Sequence, residues 1–225
     1  MNNLLVKTVL GFTFLMAMLA LAIFLPAGSL NFWQAWIYLA DWAVCVSLIT
    51  AYLIKNDQEL LAGRVKAGVA AETQKSQKII QSLASLFFLG LFIVPGLDYR
   101  FGWSQVPPIL SLIADGGVAL GFSIVFLTFR ENSYTRGTIE VSEKQQVITS
   151  GPYRFVRHPM YVGALFMLIV TPLALGSWVA LPFSLPMILV IALRLLDEEK
   201  FLKQNLDGYT EYCQKVRYHL IPNVW

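Results

Sequence analysis

Six stretches of the chain are almost continuously apolar: about 6–25, 34–54, 79–97, 107–129, 159–175 and 178–196. Each runs to roughly 17–23 residues, the length that crosses about 30 Å of hydrocarbon at about 1.5 Å per residue. The pattern predicts an all-α integral membrane protein of about six transmembrane helices. Gly176 and Ser177 alone separate the last two stretches, which predicts a tight helical hairpin. Pro172, Pro182 and Pro186 fall inside that pair and predict kinks, because proline frees backbone carbonyls within a membrane helix. Within the first stretch Lys7 is followed by an apolar run from about Thr8 to Leu25 with no small-residue cleavage pattern before Pro26, so it reads as a retained helix rather than a signal peptide.

Composition agrees. Of 225 residues, 56% are hydrophobic and 14% charged, and the mean hydropathy is +0.60. A soluble domain carries about 25% charged residues. Cys45 and Cys213 lie far apart, in an apolar run and a polar tail, which is neither a disulfide framework nor a metal pattern. A net charge of +3 calls for no nucleic-acid partner. The distribution of charge is more informative. With the N-terminus inside, Lys7, the loops 55–78 and 130–158 and the tail from Arg194 hold every Lys and Arg except Arg100. The positive-inside rule then predicts a multi-pass protein of the cytoplasmic membrane with both termini inside. Trp33, Trp36 and Trp103 fall in the short outer connections, where aromatic belts form. The chain divides into a four-helix region, 1–129, and a region of loop, hairpin and tail, 130–225.

Three places bear candidate chemistry. In "GPYRFVRHPMYVG" proline follows Arg157 and His158. Proline favours the first helical turn, which predicts a helix from Pro159 with His158 at the N-cap. Such a terminus attracts anions and Arg157 adds a bidentate donor, so a carboxylate or phosphate site competes with simple snorkelling to headgroups. In "RLLDEEK", Asp197, Glu198 and Glu199 stand together, with Arg194 four residues before Glu198. The hairpin brings residues 158 and 198 to the same open end. The tail "GYTEYCQKVRYHLIPNVW" forms a short amphipathic helix, either resting on the membrane or closing a polar cavity. Asp41 and Asp115 lie within apolar stretches; interhelical hydrogen bonding or a shallow polar pocket is expected of them rather than catalysis.

The ordered set "QQVITSGPYRFVRHPMY", hairpin, "DEEKF" and "GYTEYCQKVRYHLIP" resembles the isoprenylcysteine carboxyl methyltransferases and their relatives, the phospholipid N-methyltransferases, from about Arg130 to Pro222. The resemblance implies S-adenosyl-L-methionine as cofactor, bound without a Rossmann fold in a pocket at the membrane surface. It implies Gln146, Val147 and Ile148 at the adenine end. Tyr153, His158 and Tyr161, with Arg157 beside them, would surround the methionine moiety. Glu198 and Glu199 would take the ribose or amino end. Arg130 and Arg194 are candidates for orienting an acidic substrate, and Glu198 for a base toward an amine. The acceptor implied is a lipid or lipidated small molecule, methylated on a carboxyl oxygen or an amine; no metal is expected. Membrane sterol reductases resemble the same C-terminal region, including an Arg-His-Pro element, and imply NADPH instead.

Overall fold

A computed structural model describes residues 2–66, 75–142 and 145–225. Its regular structure is helical: α1 (Asn2–Ala27), α2 (Trp33–Asn56), α3 (Gln58–Val65), α4 (Lys75–Phe101), α5 (Pro108–Glu131), α6 (Pro159–Ala174), α7 (Ser184–Asn205) and α8 (Tyr209–Lys215). Four of these, α1, α2, α4 and α5, are long and apolar enough to cross a membrane. α6 is apolar but has only 16 residues, about 24 Å at 1.5 Å per residue. The six apolar stretches thus appear as four full-length candidate spans, one shorter apolar helix, and α7, whose last turns are charged.

Helix α6 begins where proline dictates. Pro159 is its first residue and His158 its N-cap. The hairpin connection is longer than the expected Gly-Ser pair. α6 stops at Ala174 and α7 starts only at Ser184. Pro182 sits in a single 3-10 turn over Leu181–Phe183, and Pro186 lies in the first turn of α7, where its missing N–H has no helical partner to lose. Neither kinks a helix; of the three only Pro172 is interior. Gly176 turns the chain with φ +74°, a conformation glycine adopts without a Cβ penalty. A Cβ there would also stand 2.9 Å from the Gln34 side chain.

Two glycine contacts draw the bundle together. A Cβ on Gly121 of α5 would lie 2.9 Å from the Gly163 carbonyl, and one on Gly163 of α6 would lie 2.7 Å from the Gly121 carbonyl. The two backbones therefore touch, as small residues permit between membrane helices. Gly96 of α4 meets the Ile23 carbonyl of α1 in the same way. Around these crossings Leu19, Ile23, Phe32, Tyr38, Phe92, Val118 and Leu175 form a fully enclosed core. Large apolar side chains such as Phe14, Leu25, Leu48, Leu86 and Ile113 face outward, the inverse of a water-soluble surface and the expectation for a bundle solvated by lipid.

The two intramembrane aspartates do not make the expected interhelical hydrogen bonds. Asp41 Oδ1 accepts from the Cys45 thiol one turn along the same helix, at 3.5 Å. Neither oxygen of buried Asp115 has a hydrogen-bond partner among the described residues.

Candidate active site

The open end of the α6–α7 hairpin is where sequence-distant charges meet. Glu199 of α7 is 3% exposed. Arg157 Nε stands 2.8 Å from its Oε1 and His158 Nε2 3.1 Å from the same oxygen. Lys203 Nζ and His219 Nε2 approach Oε2 at 3.5 and 3.4 Å. Burial alone would push this carboxyl up. The His158 hydrogen bond and the charges of His158, Arg157 and His219 outweigh it and hold the group below the ordinary carboxylate range. Two backbone bonds reinforce the junction: Arg157 N–H donates to the Tyr218 carbonyl at 2.9 Å and His158 N–H to that of His219 at 3.0 Å. Glu199 is thus the knot that ties the α6 N-terminus, α7 and the tail together.

Glu198 has a different neighbourhood. Successive helical residues point about 100° apart, so it cannot share the surroundings of Glu199. Its Oε2 accepts from the Tyr161 hydroxyl at 2.6 Å. Arg194 Nε in turn donates to that hydroxyl at 3.2 Å, Nη1 to Gln77 Oε1 at 3.0 Å and Nη2 to the Gly137 carbonyl at 3.0 Å. Gln77 Nε2 donates to Asp197 Oδ2 at 2.5 Å. Arg194, Tyr161 and Glu198 form one chain of hydrogen bonds fixed to α4 by Gln77.

This chain faces a cavity of about 630 Å³, within the size range of small-molecule and cofactor sites. Its polar end is lined by Gln146, Val147, Ile148, Tyr153, His158, Tyr161, Arg194 and Glu198. Its apolar end runs between α2, α5 and α6, past Trp42, Val46, Phe122 and Met167. The tail closes one wall. Tyr209 and Tyr212 of α8 pack on Tyr153, Val147 and Ile148, and the Tyr212 hydroxyl donates to the Tyr153 carbonyl at 2.8 Å. Burial pushes the phenols of Tyr153, Tyr209 and Tyr212 well above the ordinary tyrosine value, so they stay neutral donors. The Tyr209 hydroxyl is buried, belongs to a residue that lines the cavity and has no hydrogen-bond partner among the described residues.

The expected site residues separate into three groups. Gln146, Val147, Ile148, Tyr153, His158, Tyr161, Arg194 and Glu198 come together around the cavity. Arg157 borders it but is 8% exposed and ion-paired to Glu199; Glu199 lies behind the lining. Arg130, at the end of α5, is exposed and outside the cavity. The tail, which the sequence offered as a cover for a polar cavity, brings Tyr209 into the cavity wall; sequence reasoning missed Asn132, whose amide donates to the Tyr153 hydroxyl at 2.8 Å. It also missed Arg64, carried into the cavity wall by α3.

Fold and site together define a helical membrane protein with a pocket that is polar at the charged end and apolar toward the bundle. Residues 110–207 match the family model for phospholipid methyltransferases. That region takes in most of α5, the intervening loop, α6 and α7, a little under half of the chain. The chain is also similar to the Delta(14)-sterol reductase TM7SF2 of Mus musculus, with 31% identity over 106 residues, 44% of this chain and 25% of that protein. The chain therefore spans about a quarter of the length of this curated relative.

Proposed function

We propose that the protein is a membrane methyltransferase that takes its methyl group from S-adenosyl-L-methionine and passes it to a lipid-like acceptor. The observation that carries this reading is the two-ended cavity, formed largely by the segment that matches the methyltransferase family. A water-soluble donor suits the polar end and a membrane-held acceptor the apolar end. The unpartnered Tyr209 hydroxyl fits a bound ligand, because a buried donor left without an acceptor costs roughly 1–3 kcal/mol.

In this reading the stretch 130–225 supplies the donor site and 1–129 most of the acceptor site. Gln146, Val147 and Ile148 lie toward the adenine, while Tyr153, His158 and Tyr161 surround the methionine portion. Glu198 takes the ribose hydroxyls or the ammonium group. Arg157 and Glu199 act from behind, by holding His158 and the first turn of α6. Once bound, the sulfonium supplies an activated methyl group and a neutral thioether leaving group. The protein's task is then orientation and the exclusion of water, which the apolar walls and the α8 flap perform. A carboxylate acceptor needs no base. An amine acceptor must lose a proton, and Glu198, aligned by the Tyr161 hydroxyl, is placed to take it. The excess of basic residues at this end supports a cytosolic position for it in this reading, with six crossings in all and both termini inside.

The test is incubation of the purified protein with labelled S-adenosyl-L-methionine and a total lipid extract of its native membrane, followed by mass analysis. A lipid heavier by one methyl group, absent with Glu198→Ala, supports the reading; no labelled product overturns it. The likeness to a sterol reductase favours a second reading, an NADPH-dependent membrane reductase. Saturable binding of NADPH with no binding of S-adenosyl-L-methionine would select it.

A further inference from the structure

Beside the apolar end of the cavity, α2 and α5 enclose a second, smaller cleft of about 210 Å³. Cys45, Leu48 and Ile49 line it from α2, and Ala119 and Phe122 from α5. Ile49 and Phe122 also line the first cavity and so divide the two. Leu48 is exposed on the lipid-facing surface, which opens the cleft to the bilayer. Trp42 meets Phe122, and Tyr52 meets Phe126, each with ring centroids 4.9 Å apart. The two helices therefore run side by side in the same direction. One turn before Cys45 is Asp41, and one turn before Ala119 is Asp115. Both acids thus stand at the same end of the cleft.

The polar atoms there are acceptors short of donors. Asp41 Oδ2 and both oxygens of Asp115 are buried with no hydrogen-bond partner among the described residues. Asp41 Oδ1 has only the Cys45 thiol, at 3.5 Å, and a thiol is a weak donor. Ser111 lies one turn before Asp115 on the same face of α5. It is fully buried, and its hydroxyl has no partner either. The nearby Tyr38 hydroxyl is engaged with that of Thr171, at 2.9 Å. No Lys, Arg or His is ion-paired to Asp41 or Asp115 among the described residues, and the two acids are close enough for the charge of Asp41 to bear on Asp115. Acids inside a membrane span are costly unless something pairs with them. A group with several donors and a positive charge answers both needs, and a primary ammonium has three N–H donors and no acceptor. The apolar cleft that leads away from the acids suits a hydrocarbon chain.

We propose that Asp41, Asp115 and Ser111 bind the ammonium group of an amine amphiphile drawn from the bilayer, with its hydrocarbon chain in the α2–α5 cleft. This is a second ligand site, apart from the one assigned to methyl transfer. Asp41 is the ninth residue of α2 and Asp115 the eighth of α5, whereas the polar end of the first cavity lies past the last turn of α5, at Asn132. The ligand held here is a resident counter-ion of the acid pair and not the molecule that is methylated. The inference does not depend on the methyltransferase reading.

The experiment titrates the full-length protein in dodecyl maltoside with bromoundecylammonium and with the uncharged control bromoundecanol. Bromine quenches tryptophan at short range, and Trp42 stands between Asp41 and the cleft-lining Phe122. Wild type should bind the ammonium form about ten-fold or more tightly than the alcohol. Asp115→Asn, which keeps the size and removes the charge, should abolish that preference and leave the affinity for the alcohol as it was. Asp41→Asn, at a half-buried position, should weaken the preference several-fold and carries the test should the Asp115 variant fail to fold. Glu198→Gln, in the first cavity, should retain the wild-type preference. Equal binding of the two probes by wild type overturns the proposal, as does an undiminished preference in both aspartate variants. A preference lost in Glu198→Gln and kept in the aspartate variants also overturns it, by assigning the amine to the first cavity. So does a melting temperature that rises with sodium chloride, and no longer does so in Asp115→Asn, when wild type shows no preference for the amine; the pair would then belong to an inorganic cation.

Discussion

The two ends of the bundle use polar groups in opposite ways. At the hairpin-turn end, Asp98 is 1% exposed and fully engaged. It accepts from the Ser104 backbone N–H and from the hydroxyls of Ser104 and Ser177. Ser104 accepts in turn from the Trp178 N–H at 3.0 Å, and Ser177 from that of Ala180 at 3.1 Å. At the open end, donors and acceptors are only partly satisfied by the protein. Among the described residues Arg64 hydrogen-bonds only through Nη1, the Tyr209 hydroxyl has no hydrogen-bond partner, and Glu198 faces a cavity. A closed network fastens a fold; an open one of comparable burial awaits a ligand. Within the open end the same division recurs between adjacent residues: Glu199 is surrounded by cations of its own chain, and Glu198 is not.

The contrast can be broken most severely at Glu199. Glu199→Ala leaves Arg157 and His158 buried beside no acid and should cost about 3–5 kcal/mol, read as early thermal unfolding in detergent. Retention of wild-type stability would remove Glu199 from its structural role. Gly163→Leu comes next. Its side chain must displace the Gly121 carbonyl, which a Cβ would approach to 2.7 Å. A loss of about 3 kcal/mol is expected, together with ligand binding, because α6 carries His158 and Tyr161. At the closed end, Asp98→Ala should cost roughly 1–3 kcal/mol through three orphaned donors, with donor affinity unchanged; a matching loss of affinity would erase the distinction between the ends.

The smallest effect is on pH. Burial, with Arg157, His158 and Lys203 acting the same way against Glu199, holds His219 below the ordinary histidine value. The unfolded chain then takes up the proton first, so stability falls as pH drops below about 6.5. Glu199 is depressed too; its contribution is complete above the ordinary carboxylate range and disappears as pH falls from there through its lowered folded value. His219→Gln should remove the first decline and keep the second. Coincident melting curves for variant and wild type between pH 7 and 5 would show His219 to be uninvolved.

Much of this was legible in the sequence. The apolar stretches located the helices, Pro159 fixed the start of α6, and the hairpin put Arg157, His158 and the glutamates at one end. Other features needed coordinates, for identifiable reasons. Pro182 and Pro186, as interior prolines, predicted kinks, yet they fall where a helix has not begun or has no N–H to lose. Glu198 and Glu199 read as a pair, although helical geometry alone separates neighbours by about 100°; the sequence held the means to distinguish them. Arg130 ends an apolar span and reads as an inward cation, yet it is exposed and outside the cavity. Arg64 lies in a short helix, α3, within a loop that hydropathy passes over, and only tertiary packing brings it 71 residues along the chain to Thr135.

The most direct test of the central claim is calorimetric titration of S-adenosyl-L-methionine into the purified protein and into Glu198→Gln. Saturable binding of one molecule per chain, weakened ten-fold or more in the variant while its melting temperature stays within about 2 °C of wild type, is the predicted result. Absence of binding in wild type, or equal affinity in the variant, would contradict it.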